Sequence, residues 1–518
     1  METTAHTRRS WFALAAIAFA MLTIGLDTTV LIVALPTLSG DLHASNAQLQ
    51  WFSTAYTLVL AALLLPAGAL GDRLGRKRVL LAALVVFGAA SAWCAFAPDA
   101  GNLIAARAVL GVGAAAMMPL SMAVLPILFP EPAARTRAMT IWITAMGLGM
   151  PLGPIIGGWL LEHFWWGSVF LINVPMIIAG IIAVALLVPE SRSDEPRPID
   201  LLGVLLSSGG LAALTYGFIQ LGNKSWTNAT GLSAVAGAVV LLAVFIAWQR
   251  RAAHPLIDLT LFRNRSFTGG VTLATVVNFA LFGVMFTLPL LYQSVQGHSA
   301  LETGLRLLPM IGGMVVATRI VEKLIERTSA GIATGIGYGL VTIGLVVGTF
   351  TDAGTSYGVI ATWLAVIGFG FGITMPTTMN VAMNALDVQK AGVGSGLIQA
   401  MRQAGGTIGV AICGSVMIAG YRADLGQYRR PPITDGVGPG MAVAHRSGSG
   451  DMIHTVQTAF AHGMSSMLWV CAAVCLLAAV GGPLMLRRPA RPDDEPVTLS
   501  AADPDADIDE SESVHVRN

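Results

Sequence analysis

The chain has 518 residues, of which 54% are hydrophobic and only 11% charged, with a formal net charge of +1. A soluble chain carries about 25% charged residues, so a globular core does not account for this much apolar surface and lipid has to cover it. The near-neutral balance leaves no basic footprint for a nucleic-acid partner. Crossing a bilayer takes about 20 mainly apolar residues per helix. Fourteen such stretches follow in order: 11–36, 47–71, 79–97, 102–128, 137–161, 167–188, 201–222, 231–249, 267–292, 304–323, 331–350, 356–380, 396–420 and 464–486. The first, third and eighth are the clearest. The tenth is the weakest, because Arg306 and Arg319 interrupt it. The first is too long for the apolar region of a signal peptide and ends without a small-residue cleavage site, so it reads as a membrane helix.

Lys and Arg in the loops orient the helices. With a cytoplasmic N-terminus, the inner segments hold Arg8 and Arg9, Arg73 to Arg78, Arg135 and Arg137, Arg192 and Arg197, Arg250 to Arg265, Lys323 and Arg327, Lys390, and Arg487 to Arg491. The short outer loops hold Lys224 alone. Both termini are therefore expected in the cytoplasm. A polar stretch, VPESRSDEPRPID (188–200), closes the first six helices. Two helices and a basic connector (249–267) precede the last six. The expected architecture is an all-α polytopic membrane protein of 6 + 2 + 6 helices. Its parts are an N-terminal six-helix bundle (1–190), two linker helices with their loops (191–266), a C-terminal six-helix bundle (267–486) and an acidic tail (487–518). Two six-helix halves suggest the internal repeats of transporters. The tail is too polar to fold by itself. The long outer loop is 421–463, and its stretch 426–450, rich in Gly, Pro and Ser, reads as mobile.

Asp27 interrupts the apolar stretch GLDTTVLIVALP (25–36). A charge at bilayer depth costs at least about 2.5–3.5 kcal/mol on insertion scales, so it is partnered, cavity-facing or neutralised. Burial disfavours a charged carboxylate and a nearby cation favours it, so an acid held between the two effects suits proton exchange. Thr23 and Thr28 are the alternative, purely structural partners. Arg107, in LIAARAVLGVGAA (103–115), is the other buried charge of this half. Asp27 falls about 6 Å and Arg107 about 12 Å to the outer side of their helix midpoints at 1.5 Å rise per residue. The two are expected to share one polar network. In GALGDRLGRKR (68–78), Gly68, Gly71 and Gly75 allow a tight turn and close helix approach. Asp72 is placed to cap the next helix or to pair across the bundle, and Arg73 and Arg76 suit the cytoplasmic face. In GLGMPLGPIIGGW (147–159), Gly149, Gly153 and Gly157 lie on one face at four-residue spacing, where two helices pack backbone to backbone. Gly158 adjoins this face, and Pro151 and Pro154 bend the helix. Cys471 and Cys475, one turn apart, read as small apolar packing residues rather than a metal or redox pair.

These motifs, in this order, together with WWGSVFLINVP (165–175), HPLIDLTLFRNRSF (254–267) and AGVGSGLIQAMRQAGGTIGVAICGSV (391–416), resemble the signature set of the major facilitator superfamily. More closely, they resemble its fourteen-helix drug:proton antiporter branch, over residues 11 to about 486. The resemblance implies a proton role for Asp27, a relay role for Arg107, gating by the 68–76 motif, and export rather than uptake from the glycine–proline motif. Two places depart from the pattern. TRIVEKLIERTSAG (318–331) is a degraded echo of the basic-glycine motif, and WWGSVF lacks an Arg at Gly167 or a neighbour.

The expected function is proton-coupled efflux, by alternating access, of amphipathic, cationic drugs or antibiotics across a bacterial cytoplasmic membrane, by a monomer that uses the proton gradient and no cofactor or metal. Tyr56, Trp142, Asn278, Met285 and Asn380 are candidates for the substrate cavity, since aromatic, Met and amide side chains suit a broad apolar site. Arg402 is a boundary cation that could snorkel to the cytoplasmic surface. No G-x-x-x-x-G-K-[ST] loop, HExxH, CxxC pair or nucleophile elbow is present, which argues against ATP hydrolysis and enzymatic chemistry. Export of an endogenous metabolite or lipid would use the same machinery, and a non-transporting sensor is the remaining reading.

Overall fold

The computed structural model describes residues 2–192, 198–386 and 391–486, and all regular structure among them is helical. Arg197, Lys390 and the acidic tail with Arg487, Arg488 and Arg491 lie outside the described residues. In chain order the α-helices are α1 (Glu2–Asp41), α2 (Asn46–Leu74), α3 (Arg76–Ala95), α4 (Ala100–Leu128), α5 (Pro132–His163), α6 (Ser168–Leu171), α7 (Asn173–Leu187), α8 (Leu201–Asn223), α9 (Ala229–Gln249), α10 (Arg265–Pro289), α11 (Ala300–Arg306), α12 (Leu308–Arg327), α13 (Ala330–Gly348), α14 (Tyr357–Asn384), α15 (Ala391–Ala423), α16 (Val437–Ser447) and α17 (Gly450–Met485).

Among the described residues, 13 helices are long and apolar enough to cross a membrane, and α5 makes up to 14 as one span bent by 42° between Gly149 and Leu152. Here α6 with α7, and α11 with α12, each count as one span, and α16 is too short to be one. The bend falls in the turn that precedes Pro154, where a backbone donor is missing. Helix ends at the water boundary are closed by side chains. Ser45 caps α2 and Ser299 caps α11, each completing a reciprocal pair with Gln48 or Glu302.

In the first half α1 packs on α5 and α7, and α4 on α2 and α3. The second half repeats the theme, with α10 against α15, α14 against α12 and α13, and α17 against α13 and α15. The α8–α9 hairpin is not a free linker. Helix α8 packs against both α2 and α15, and the Ser415 hydroxyl donates to the Phe218 carbonyl at 2.8 Å. Asp200 caps α8 and ties it to α9, accepting from Gly203 N–H at 2.8 Å, Trp248 Nε1 at 2.9 Å and Gln249 Nε2 at 2.7 Å. Partial burial pulls the Asp200 carboxyl up, but these hydrogen bonds outweigh it and hold the group below its ordinary value.

The outer loop departs from expectation. Helix α17 begins at Gly450 rather than near residue 464, and α16 occupies much of the supposedly mobile segment. The Tyr421 hydroxyl donates to the Ile433 carbonyl at 2.9 Å, and that of Tyr428 to Asp451 Oδ2 at 2.7 Å. Of the Gly, Pro and Ser residues that suggested mobility, Gly436 and Gly448 bound α16 with positive φ, whereas Gly438, Pro439 and Gly440 lie in its first turn. Its buried Val437, Met441 and Ala444 recur at helical spacing and fold it down onto α17.

Candidate functional site

Asp27 and Arg107 meet inside the first half. Arg107 Nη1 donates to Asp27 Oδ2 at 2.5 Å, and each side chain is 1% exposed. Thr23 and Thr28 do not compete for the carboxylate, because their hydroxyls donate to the carbonyls of Phe19 and Ile24 on their own helix. Asp27 Oδ1 accepts instead from Asn173 Nδ2 at 3.4 Å, and the same amide lies 3.4 Å from Ser91 Oγ. Arg107 Nε donates to the Phe52 carbonyl at 3.1 Å. The Tyr56 ring covers the guanidinium at 4.6 Å and that of Phe170 lies at 5.9 Å. Five helices (α1, α2, α3, α4 and α7) thus contribute to one polar cluster in an apolar bundle. A buried charge is tolerated there because it is paired and hydrogen-bonded, Arg107 through Nη1 and Nε and Asp27 through both carboxylate oxygens.

Arg107 also borders the space between the halves. With Thr28, Ser53, Tyr56 and Thr57 it faces Phe282, Phe286 and Val410 across a narrow crevice with room for about one water molecule. A second, wholly apolar crevice lies beside it, lined by Ile32, Pro154, Phe282, Met285 and Leu307 among others. On the outer side the halves touch. Gly158 abuts Leu301, Gly304 abuts Pro154, and Gln293 Nε2 donates to the Val33 carbonyl at 2.8 Å.

A family model described as Major Facilitator Superfamily matches residues 17–410. The chain belongs to the major facilitator superfamily. It is 31% identical, over 95% of both chains, to the tetracenomycin C resistance and export protein of Streptomyces glaucescens. It is 32% identical to the multidrug efflux pump LfrA of Mycolicibacterium smegmatis, covering 94% of this chain and 98% of that one. Its fold resembles that of a bacterial homolog of the human lysosomal transporter Spinster solved in an inward-facing, unoccupied conformation, with a TM-score of 0.66, 16% identity, and coverage of 93% and 99%. It is a multi-pass membrane protein, as its drug-resistance relatives in this superfamily are.

The two glycine motifs have distinct surroundings here. The Gly149–Gly153–Gly157 stripe packs on the part of α1 that carries Asp27. Gly149 abuts Gly25, Gly153 abuts Thr29, and Gly157 abuts Val30. The Thr29 hydroxyl donates to the Gly149 carbonyl at 3.1 Å. Gly158 is off the stripe and touches the other half. In the 68–76 motif, Gly71 rests under Leu120 and Gly68 beside Pro119. Asp72 neither caps α3 nor reaches across the bundle. It pairs with Arg76 one turn on, at 2.8 Å. Gly75 has φ +109°, a conformation that L side chains rarely adopt. The carboxylate of Glu190 sits over it, accepting from Lys77 N–H at 3.1 Å and lying 3.5 Å from Arg78 Nε. Arg73 is exposed. Gly167 abuts the Ala95 carbonyl, which leaves no room for the arginine seen elsewhere in the pattern.

Of the five cavity candidates, Tyr56 lines the polar crevice and Met285 the apolar one. The other three lie elsewhere. Trp142 is packed in the first half, donating to Ser121 Oγ at 3.0 Å. Asn278 is buried and donates to the Ala274 carbonyl of its own helix at 3.0 Å. Asn380 is exposed near the end of α14. Residue type marked all five equally, and helix facing separates them. Asn173, Ser91, the Phe52 carbonyl and Glu190 belong to these clusters without having been singled out. An amide in the charge-free run LINVP was a readable signal for Asn173.

Proposed function

We propose that this chain is a drug:proton antiporter that exports amphipathic molecules by alternating access. The observation that carries this reading is the sealed Asp27–Arg107 pair, whose arginine forms part of the crevice wall shared by both halves. Protonating Asp27 would remove the charge that holds Arg107 and free the guanidinium toward the crevice. Deprotonation on the cytoplasmic side would draw it back. Proton entry and substrate release then become alternative uses of one arginine, the reciprocity that coupled transport requires. The relatives' printed roles in tetracenomycin C export and multidrug efflux support a drug-like cargo. The test is transport in proteoliposomes under an imposed pH gradient. The wild-type protein is expected to move dye and protons in opposite directions. Asp27→Asn is expected to abolish gradient-driven export while retaining substrate binding. Full gradient-dependent export by Asp27→Asn would refute the coupling role.

A further inference from the structure

Arg402 on α15 takes no part in the Asp27 cluster, and its place follows from the helix register. Gly396, Thr407 and Gly414 face α2, at Leu65, Thr57 and Gln50. Gly405 and Gly409 face α10, at Thr275 and Phe279. At about 100° per residue, the arc between these two faces carries Gln399, Arg402, Gly406 and Val410. Val410 lines the polar crevice, and Gly406 abuts Phe282 of the same crevice. Arg402 therefore continues that wall toward the cytoplasm, about 12 Å from Val410 along the helix. Gly406 and Val410 are buried, whereas Arg402 and Gln399 are half-buried.

The guanidinium is incompletely partnered. Nη1 donates to Gln399 Oε1 at 3.2 Å, and Nε is a buried donor with no acceptor. Among the described residues no carboxylate pairs with it. Asp27 is already held by Arg107. A guanidinium stays charged and presents a planar fork that matches a carboxylate.

We infer that Arg402 receives an acidic substituent, such as a carboxylate, phenolate or enolate, of an amphipathic substrate entering from the cytoplasm. This rests on the export reading and specifies its substrate class: the cargo is acidic or zwitterionic rather than purely cationic.

The experiment uses everted membrane vesicles with an acidic interior, which present the cytoplasmic face to the dye. Uptake of fluorescein and of ethidium is measured for wild type, Arg402→Gln and Arg402→Lys. The expected result is a rise of about tenfold in KM for fluorescein in Arg402→Gln, the loss of one charge-assisted contact. Ethidium uptake is expected to hold or improve, and Arg402→Lys to rescue fluorescein in part. Fluorescein binding to the purified variants in detergent, with their melting curves, separates loss of the site from loss of folding. An equal loss for both dyes, or no loss for either, overturns the inference. Wild-type uptake of ethidium alone overturns it while sparing the export reading. No wild-type uptake of either dye overturns both.

Discussion

Arg107 carries three interactions with one planar group: an ion pair to Asp27, a hydrogen bond to the Phe52 carbonyl and a stacked Tyr56 ring. Removing either charge alone leaves the other buried without its partner, which costs about 3–5 kcal/mol. Arg107→Ala is therefore expected to melt far below wild type in detergent. The double variant Asp27→Asn/Arg107→Ala should recover much of that loss, because two neutral groups replace an orphaned carboxylate. Neither variant should export. Melting curves and dye flux check this, and a double variant no more stable than Arg107→Ala would contradict it. At this scale the sequence was informative about the charges and silent about their neighbours. Asp27 and Arg107 stand out because ionised groups are expensive in hydrocarbon, and helix rise places them at similar depth. The Phe52 carbonyl cannot be read from sequence, because every residue has one. Asn173 becomes a partner of Asp27 only through the packing of α7 on α1.

At the scale of elements, the glycine stripe of α5 explains how the α1 segment carrying Asp27 is held. The backbones of Gly149 and Gly25 are in contact, with no space for a side chain at either position. At Gly157 a Cβ would lie 3.1 Å from a Val30 methyl and 3.3 Å from the Val30 Cα, a milder clash than at Gly149. Gly149→Val is therefore expected to destabilise the protein by at least about 1–3 kcal/mol and to abolish transport, since overpacking here meets backbone. Gly157→Ala should stay close to wild type in melting temperature and flux. A Gly149→Val protein with normal transport would show that α1 and α5 need not touch. The four-residue spacing made the packing face legible. Its partner was not, because apolar residues on every membrane helix offer similar faces. The same ambiguity hid the α8 contact with α2 and α15, and it put Trp142 and Asn380 on a candidate list with Met285. The outer loop was misread for a related reason: turn residues report where the chain bends, not whether a helix lies between the bends.

For the molecule up to Leu486, the outer ends of the halves are in contact, and α15 also meets α2 at Gln50, Thr57 and Leu65. Alternating access requires the Gly158–Leu301 and Gly304–Pro154 contacts to part. Gly158→Leu is expected to wedge them open and shift the population toward an outward-open state. A Ser53→Cys probe in the polar crevice reads the shift, since the four native cysteines are buried. Labelling by a membrane-impermeant maleimide from outside should rise about tenfold or more, which corresponds to at least 1.4 kcal/mol of bias. Unchanged labelling would mean that these contacts do not hold the outer gate.

The sequence alone determined the membrane class, the run of apolar segments and the two charges worth placing. Each follows from the high free energy of exposing polar groups to lipid, a constraint that acts locally on the chain. Tertiary structure decided which charges are satisfied and which are not. Asp27 and Arg107 are paired with each other, whereas Arg402, of equal hydropathy, keeps a buried donor without an acceptor. That difference depends on helix rotation and on what the neighbouring helices present, and neither is written into any single segment.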